Sequence, residues 1–259
     1  MIFSKFFFVI ISVLCFLQVY VNPSYSLTDD FFYSSDSIIN GLTYDDWAIK
    51  FWEWQVTFPN SIQPTKEKCI IGNESSVLFL INPIFGIDIE DNIFTPEDEG
   101  VLVYECTIPS NKPIFVQGMS EICKSGGVFE GEPGTRLSTY DDLLNCVNYR
   151  NWAAQINIQV DDRKKTIPVD EKNLLSGEII KKSEFSKLLK PFNITIPENS
   201  KYSADLGVGT DIAMLDIKSL ILKPLPVGDH VIVIDVGQKI PKQPFNDLDL
   251  SLKYNLHVK

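Results

Sequence analysis

An aromatic stretch near the N-terminus reads Thr43-Tyr-Asp-Asp-Trp-Ala-Ile-Lys-Phe-Trp-Glu-Trp-Gln-Val-Thr-Phe-Pro59. Thr43 is suited to a helix N-cap, and Asp46 follows it at the spacing of a capping box. Pro59 disfavours a helical conformation at the residue before it, so the sequence predicts a helix between these points. At roughly 100° per residue, one face of this helix carries four aromatic residues: Trp47, Phe51, Trp54 and Phe58. Further apolar residues widen this face beyond half of the circumference, so we expect the helix to be buried on two sides.

The first 26 residues have the pattern of a secretory signal peptide. An apolar run over residues 6–21 follows Lys5, and turn-forming and small residues end it at 22–26. The alternative is an uncleaved anchor, because a run of about 16 residues is long for a signal core and short for a membrane span. We therefore expect an exported, secreted or cell-surface protein without a membrane span after cleavage. The predicted organisation is a signal peptide at 1–26, a lead-in arm at 27–42 and a single β-sandwich domain at 43–259.

The charge of the chain restricts its partners. The formal net charge is −11 and becomes −12 when Lys5 leaves with the signal peptide. An acidic protein is poorly suited to bind nucleic acid or an anionic membrane surface. We therefore expect neither as a partner.

Four cysteines follow the predicted signal peptide: Cys69, Cys106, Cys123 and Cys146. An even number in an exported chain predicts two disulfides, for which three pairings exist. We favour Cys69–Cys106 and Cys123–Cys146, and each bond closes a loop of a few tens of residues and would contribute roughly 3–4 kcal/mol. A zinc site is not expected, because the cysteines lack CxxC spacing and the chain has only 2 histidines.

Many short apolar or alternating runs, without a repeating strand–helix–strand order, predict a mainly β protein. The predicted strands are 77–82, 101–107, 114–119, 154–160, 165–169, 192–196, 219–222, 230–236 and 249–258. One further helix begins near Ser138, and the Lys- and Glu-rich residues 170–191 are predicted to form a surface loop or short helix. We expect a β-sandwich of the jelly-roll or immunoglobulin-like kind, with a buried aromatic helix at its N-terminus.

Several motifs resemble those of a family of uncharacterised exported microbial β-sandwich proteins. These motifs are Tyr44 to Trp54 (Tyr-x-x-Trp…Trp-x-Trp), Cys69, Cys106-Thr-Ile-Pro-Ser-Asn-Lys112-Pro-Ile114 and Leu222-Lys-Pro-Leu-Pro-Val-Gly-Asp-His230. The resemblance covers roughly residues 41–258. It implies the fold and export alone, because the family has no assigned activity.

Two acidic residues are the candidate catalytic groups. Glycosidases require a pair of carboxyl groups at a suitable separation, and Glu53 and Glu121 are the pair we consider. The alternative roles are a solvated helix residue for Glu53 and a loop residue that binds backbone amides for Glu121. His230 and His257 are expected at strand edges rather than as catalytic bases.

Aromatic and acidic side chains supply the candidate binding residues. Trp52 lies on the flank of the aromatic helix and Trp152 just before a strand, and either ring would stack on a sugar if it reached the surface. Glu130 and Glu132 lie in the glycine-rich segment 120–134, which a rigid scaffold would present as a binding loop. The alternatives are core positions for both rings and a flexible connector for the loop.

Two further kinds of site are predicted from local patterns. Asp88, Glu90 and Asp91 carry the hard oxygen ligands that Ca²⁺ prefers, although the segment lacks an EF-hand pattern and would also serve as a solvated loop. Asn73 and Asn193 begin glycosylation sequons, and Asn73 is the more suitable carrier because Asn193 lies in a predicted strand.

Taken together, these patterns predict an exported, non-catalytic binding or structural module of the cell envelope or extracellular space. Its expected partner is a glycan or another envelope protein. No cofactor other than Ca²⁺ is expected. The alternative is a secreted carboxylate-dependent polysaccharide hydrolase that uses Glu53 and Glu121.

Overall fold

The computed structural model describes residues 31–58, 75–80, 101–128, 136–149, 151–173, 175–238 and 248–259. Its helices are α1 (Tyr44–Gln55), α2 (Tyr140–Val147) and α3 (Ser203–Leu206), with a 3-10 helix at Asn151–Ala153. Its strands are β1 (Leu78–Phe79), β2 (Val101–Ile108), β3 (Ile114–Lys124), β4 (Ala154–Val160), β5 (Arg163–Ile167), β6 (Glu171–Lys172), β7 (Ile179–Ile180), β8 (Ser186–Leu188), β9 (Phe192–Ile196), β10 (Gly209–Leu222), β11 (Gly228–Gln238) and β12 (Leu248–Val258).

Helix α1 begins where the sequence predicts and is buried. Thr43 and Asp46 form a capping box, in which each side chain bonds the backbone of the other residue. Trp47, Phe51 and Trp52 are each at most 2% exposed. The prediction of a buried aromatic helix is therefore confirmed.

The strands form two five-stranded sheets and a short ribbon. The first sheet has the order β1-β3-β10-β8, and β9 also pairs with β10. The second sheet has the order β2-β12-β11-β4-β5, while β6 and β7 form the ribbon. Neighbours are antiparallel except for β1 with β3 and β2 with β12, which are parallel. The described chain is mainly β, and its fold is a β-sandwich, as predicted.

A bulge in β3 brings the two sheets into contact. Met119 pairs with Lys218 and Gln117 pairs with Ser219, so Gly118 is the extra residue between them. A Cβ built on Gly118 would lie 2.4 Å from Cγ2 of Ile156, which belongs to β4 in the second sheet. The bulge therefore requires glycine, because the second sheet occupies the space of a side chain.

The first sheet is covered on both faces. Phe51 of α1 stacks on Phe115 at 5.2 Å between ring centroids, and Phe115 pairs with Ile221 of β10. Lys218 lies an odd number of residues from Ile221 and so points to the opposite face. There its Nζ donates to the carbonyl oxygen of Ala154, at the start of β4. Helix α1 therefore covers one face, and the second sheet covers the other.

Helix α2 is attached to the first sheet by a disulfide. Cys123 of β3 and Cys146 of α2 are bonded, with their Cα atoms 6.2 Å apart. A small apolar cluster surrounds this bond: Leu137, Leu143, Val147 and Met214. The predicted Cys123–Cys146 pair is confirmed. Cys106 is also disulfide-bonded, but Cys69 lies outside the described residues, so the Cys69–Cys106 pairing stays a prediction.

Two predictions about secondary structure are wrong. Residues 170–191 include the strands β6, β7 and β8 and the buried residues Asp170, Phe185 and Ser186 instead of forming only a surface loop or short helix. The strand predicted at 219–222 begins at Gly209. In both places the burial depends on tertiary contacts of charged residues, which a hydrophobic pattern does not indicate.

Candidate functional site

Four charged side chains meet in the interior beside β10, and we call them the charge network: Asp170, Lys181, Asp216 and Lys218. Lys181 Nζ lies 2.7 Å from both carboxylate oxygens of Asp216 and 3.4 Å from Asp170 Oδ2. Lys218 Nζ lies 3.2 Å from the same Asp170 oxygen. The side chains of Asp170, Asp216 and Lys218 are 0% exposed, and that of Lys181 is 22% exposed. The network thus contains two cations and two carboxylates with little access to water.

Local structure explains how these groups meet. Asp216 and Lys218 are two residues apart on β10 and share one face of the sheet. Lys218 pairs in register with Ser186 of β8, whose hydroxyl donates to Asp170 Oδ2 at 2.7 Å. The backbone N–H of Lys182 donates to Asp170 Oδ1 at 2.9 Å. Each oxygen of the Asp170 carboxylate is therefore hydrogen-bonded.

Burial and pairing act on the network in opposite directions. Burial raises the pKa of Asp216, although the charge of Lys181 acts to lower it. Burial lowers the pKa of Lys218 in spite of the neighbouring Asp170. Burial would also raise the pKa of Asp170, but the Lys182 N–H and the charge of Lys181 outweigh this effect and lower it below 3.8. Asp170 is therefore the stronger acid of the two.

A second group of polar side chains lies next to the network, and we call it the Trp152 cluster: Asn148, Asn151 and Trp152. Four of its buried atoms lack a hydrogen-bond partner among the described residues: Asn148 Oδ1, Asn151 Oδ1, Asn151 Nδ2 and Trp152 Nε1. Asn151 is fully buried, whereas Trp152 is partly exposed. Lys172 Nζ lies 5.6 Å from the centroid of the Trp152 ring. Unpaired buried polar atoms are rare in native proteins, so this cluster is a candidate binding site.

The charge network and the Trp152 cluster are connected through the backbone. The N–H of Asp170 donates to the carbonyl oxygen of Trp152 at 3.0 Å. Lys218 Nζ donates to the carbonyl oxygen of Ala154 at 2.8 Å. These two bonds therefore hold the backbone at Trp152, whose ring is partly exposed, and at Ala154.

The two tryptophans predicted as sugar-binding residues differ in exposure. Trp52 is only 2% exposed and packs against Tyr202, so it takes the core position that the sequence left open for it and does not present its ring to a sugar. Trp152 stays a candidate because its ring is partly exposed. Asn193 lies on the exposed side of the edge strand β9. The other predicted binding, calcium and glycan residues lie outside the described residues: Glu130, Glu132, Asp88, Glu90, Asp91 and Asn73.

The two candidate catalytic acids lie on opposite sides of the first sheet. Glu53 is an exposed residue of α1, which packs on the face that carries Phe115. Glu121 lies in strand β3 instead of the predicted loop, and it pairs with Asp216. Asp216 is an odd number of residues from Ile221, the register partner of Phe115, so Asp216 and Glu121 point to the other face. The sheet therefore separates Glu53 from Glu121, and the structure does not bring them together as a catalytic pair.

Both histidines hold backbone turns or strand ends. Nδ1 of His230 lies 2.8 Å from Asp161 Oδ2, and its Nε2 lies 3.0 Å from the carbonyl oxygen of Pro226. Nδ1 of His257 lies 2.7 Å from Asp229, which is opposite His257 in the β11–β12 pair. These contacts place both histidines on strands in the second sheet.

The charge network is absent from the sites predicted above, although the sequence contains a signal for it. Asp216 and Lys218 interrupt the apolar run from Ala213 to Leu222 at two positions that share a strand face. A strand with two charges on a buried face needs partners for both of them. Those partners, Asp170 and Lys181, come from the segment predicted to be a surface loop.

Comparison of the chain with family models, curated proteins and solved structures finds no match in any of the three. Among the described residues, no cluster of three or more His, Cys, Asp or Glu side chains is arranged to hold a metal ion. None of the described helices is both long enough and apolar enough to cross a membrane. The fold thus defines the class of protein, a β-sandwich with a buried aromatic helix.

Proposed function

We propose that this chain is an exported, non-catalytic glycan-binding module of the cell envelope or extracellular space. The observation that carries the proposal is the Trp152 cluster, in which a partly exposed indole ring is close in the sequence to asparagines whose buried polar atoms lack hydrogen-bond partners among the described residues. Aromatic rings stack on the apolar face of a sugar, while amides exchange hydrogen bonds with its hydroxyl groups. A polyhydroxylated ligand matches both properties.

The charge network supports the proposal because it fixes the backbone of this site. Asp170 and Lys218 bond the carbonyl oxygens of Trp152 and Ala154 respectively. A backbone fixed in this way loses little conformational freedom when the side chain it carries binds a ligand. Lys172, close to the ring, adds a cation that would favour sugars with acidic groups.

Export is supported by the signal-like N-terminus and by the Cys123–Cys146 disulfide, because disulfides persist in oxidising compartments. A polysaccharide hydrolase is less well supported, because the first sheet lies between Glu53 and Glu121. The proposed activity is therefore binding without turnover of the sugar.

A glycan array followed by calorimetry tests the proposal. We expect the purified protein to bind one or more glycans and Trp152→Ala to weaken that binding at least tenfold, since loss of the stacking ring removes the main contact. Incubation with the bound glycan should release no reducing ends.

Tyr140→Ala is the matched control, because Tyr140 is an exposed aromatic residue, at 57% exposure, on the neighbouring helix α2. This variant should bind like the wild type. Failure to bind any glycan, or equal affinity of the wild type and Trp152→Ala, would overturn the proposal.

A further inference from the structure

Lys218 and Asp170 form a buried pair at the centre of the charge network. Both side chains are 0% exposed, and Lys218 Nζ lies 3.2 Å from Asp170 Oδ2. The same Nζ donates to the carbonyl oxygens of Ala154 at 2.8 Å and Pro168 at 3.1 Å. These contacts hold the nitrogen against the carboxyl group. We propose that the two side chains condense to form an intramolecular amide bond.

Burial favours the amide over the ion pair. An ammonium and a carboxylate both lose hydration when buried, and their attraction offsets that loss only in part. The amide is neutral, and its N–H can still donate to one of the two carbonyl oxygens that hold Lys218. Lys181 and Asp216 remain as a pair joined by two bonds of 2.7 Å, so the reaction leaves the other two charges of the network paired.

The donors around Asp170 give its two oxygens different environments. Oδ1 accepts from the backbone N–H of Lys182 at 2.9 Å, which suits the oxygen that becomes the amide carbonyl. Oδ2 accepts from Ser186 Oγ at 2.7 Å and lies 3.4 Å from Lys181 Nζ. Donors of this kind stabilise a departing oxygen, so Oδ2 is the oxygen that leaves.

The reaction balances without a further reactant. The Lys218 ammonium passes one proton directly to Asp170 Oδ2, which lies 3.2 Å from it, and the free Nζ then attacks Cγ of the neutral carboxyl group. Oδ2 receives a second proton from the attacking nitrogen. The Cγ–Oδ2 bond breaks and water leaves. The product is an amide between Nζ and Cγ, and nothing is oxidised or reduced.

The bond would join the two layers of the sandwich. Asp170 follows β5 of the second sheet, and Lys218 belongs to β10 of the first sheet. A covalent link between them restricts the unfolded chain as a disulfide does. Unlike a disulfide, it would persist under reducing conditions. This inference is independent of glycan binding, because it concerns the covalent structure alone.

Peptide mapping by mass spectrometry tests the proposal on the purified full-length protein after denaturation and reduction. We expect one branched peptide that contains both Asp170 and Lys218, lighter than the sum of its parts by one molecule of water. Recovery of the two peptides separately and at their unmodified masses would overturn the proposal. This measurement needs no variant, so it does not depend on the folding of a mutant.

Two variants test which residues react. Lys218→Arg keeps a cation beside Asp170 but lacks the amine nucleophile, so its two peptides should be separate. Lys187→Met removes a lysine of β8 whose Nζ pairs with Asp45 outside the network, and it should keep the link. A link that persists in Lys218→Arg, or one that joins Lys181 to Asp216 in the wild type, would contradict the assignment.

Discussion

At Gly118 the bulge in β3 places the backbone directly against Ile156 of β4. A Cβ at this position would lie 2.4 Å from Ile156 Cγ2, which is closer than non-bonded carbon atoms approach. Ile156 is fully buried and branched at Cβ, so its side chain has few alternative rotamers. We expect Gly118→Ala to lower the free energy of unfolding by about 1–3 kcal/mol, the usual cost of overpacking. Urea denaturation measures this change.

The double variant with Ile156→Ala tests the cause of that loss. Ile156→Ala alone removes buried methyl groups and should cost about 2–5 kcal/mol. In the double variant the added methyl group enters the vacated space, so the total loss should be smaller than the sum of the single losses. Additive losses would show that contact with Ile156 is not the reason for glycine at this position.

The N-terminus of helix α2 provides a prediction about pH. Asp142 accepts hydrogen bonds from the backbone N–H of Ser138 at 3.0 Å and of Thr139 at 2.8 Å, and these bonds lower its pKa below 3.8. A carboxylate with a lowered pKa stabilises the folded state above its unfolded pKa. This contribution disappears as the pH falls through the folded pKa. Asp142→Asn should therefore lower Tm at neutral pH, and the difference from the wild type should shrink as the pH falls below the ordinary pKa of an aspartate and vanish below the lowered pKa of the folded state.

Asp141→Asn is the matched control for this helix. Asp141 is an exposed acid in the same turn, but the capping box uses Asp142. Circular dichroism melts from neutral to strongly acidic pH compare the three proteins. If both substitutions lower Tm equally, the loss comes from removing a negative charge near the helix N-terminus and not from removing the cap.

For the whole molecule, the disulfide between β3 and α2 restricts the unfolded chain. Cys123 and Cys146 are 23 residues apart in the sequence. A loop of this size predicts that the Cys123→Ala/Cys146→Ala variant loses about 3–4 kcal/mol of unfolding free energy. Urea denaturation of the oxidised proteins measures this loss, and non-reducing peptide mapping should recover the bond in the wild type. An unchanged midpoint in the double variant would show that the crosslink does not stabilise the fold.

Local patterns were sufficient to predict much of the fold. Thr43 and Asp46 lie within one turn of each other, so their capping box depends only on neighbours in the sequence. Strand β4 follows strict alternation over residues 154–160, and its bounds agree with the prediction. Strand β12 also agrees closely with its prediction of 249–258, because it begins one residue earlier and ends at the same residue. Periodicity identifies these elements because one face of each meets the core.

Exposure of single aromatic residues could not be predicted in the same way. The helical pattern places Trp52 on the flank of α1, where the sequence leaves surface and core positions open. Tyr202, from a distant part of the chain, packs against its ring and buries it. Trp152 lies in a short 3-10 helix just before β4, where no repeating pattern indicates which side of the chain is buried.

The sequence by itself determined the buried aromatic helix and most strands, because each depends on spacing along a short segment. It favoured the Cys123–Cys146 pair among three pairings, and the structure decided between them. Only the tertiary structure decided the partners of Asp216 and Lys218. Asp170 and Lys181 are distant from β10 in the sequence, and a charge inside an apolar strand does not specify which residue will neutralise it. The Trp152 cluster depends on the same contacts, since Asp170 and Lys218 reach the sandwich core only when the two sheets pack together.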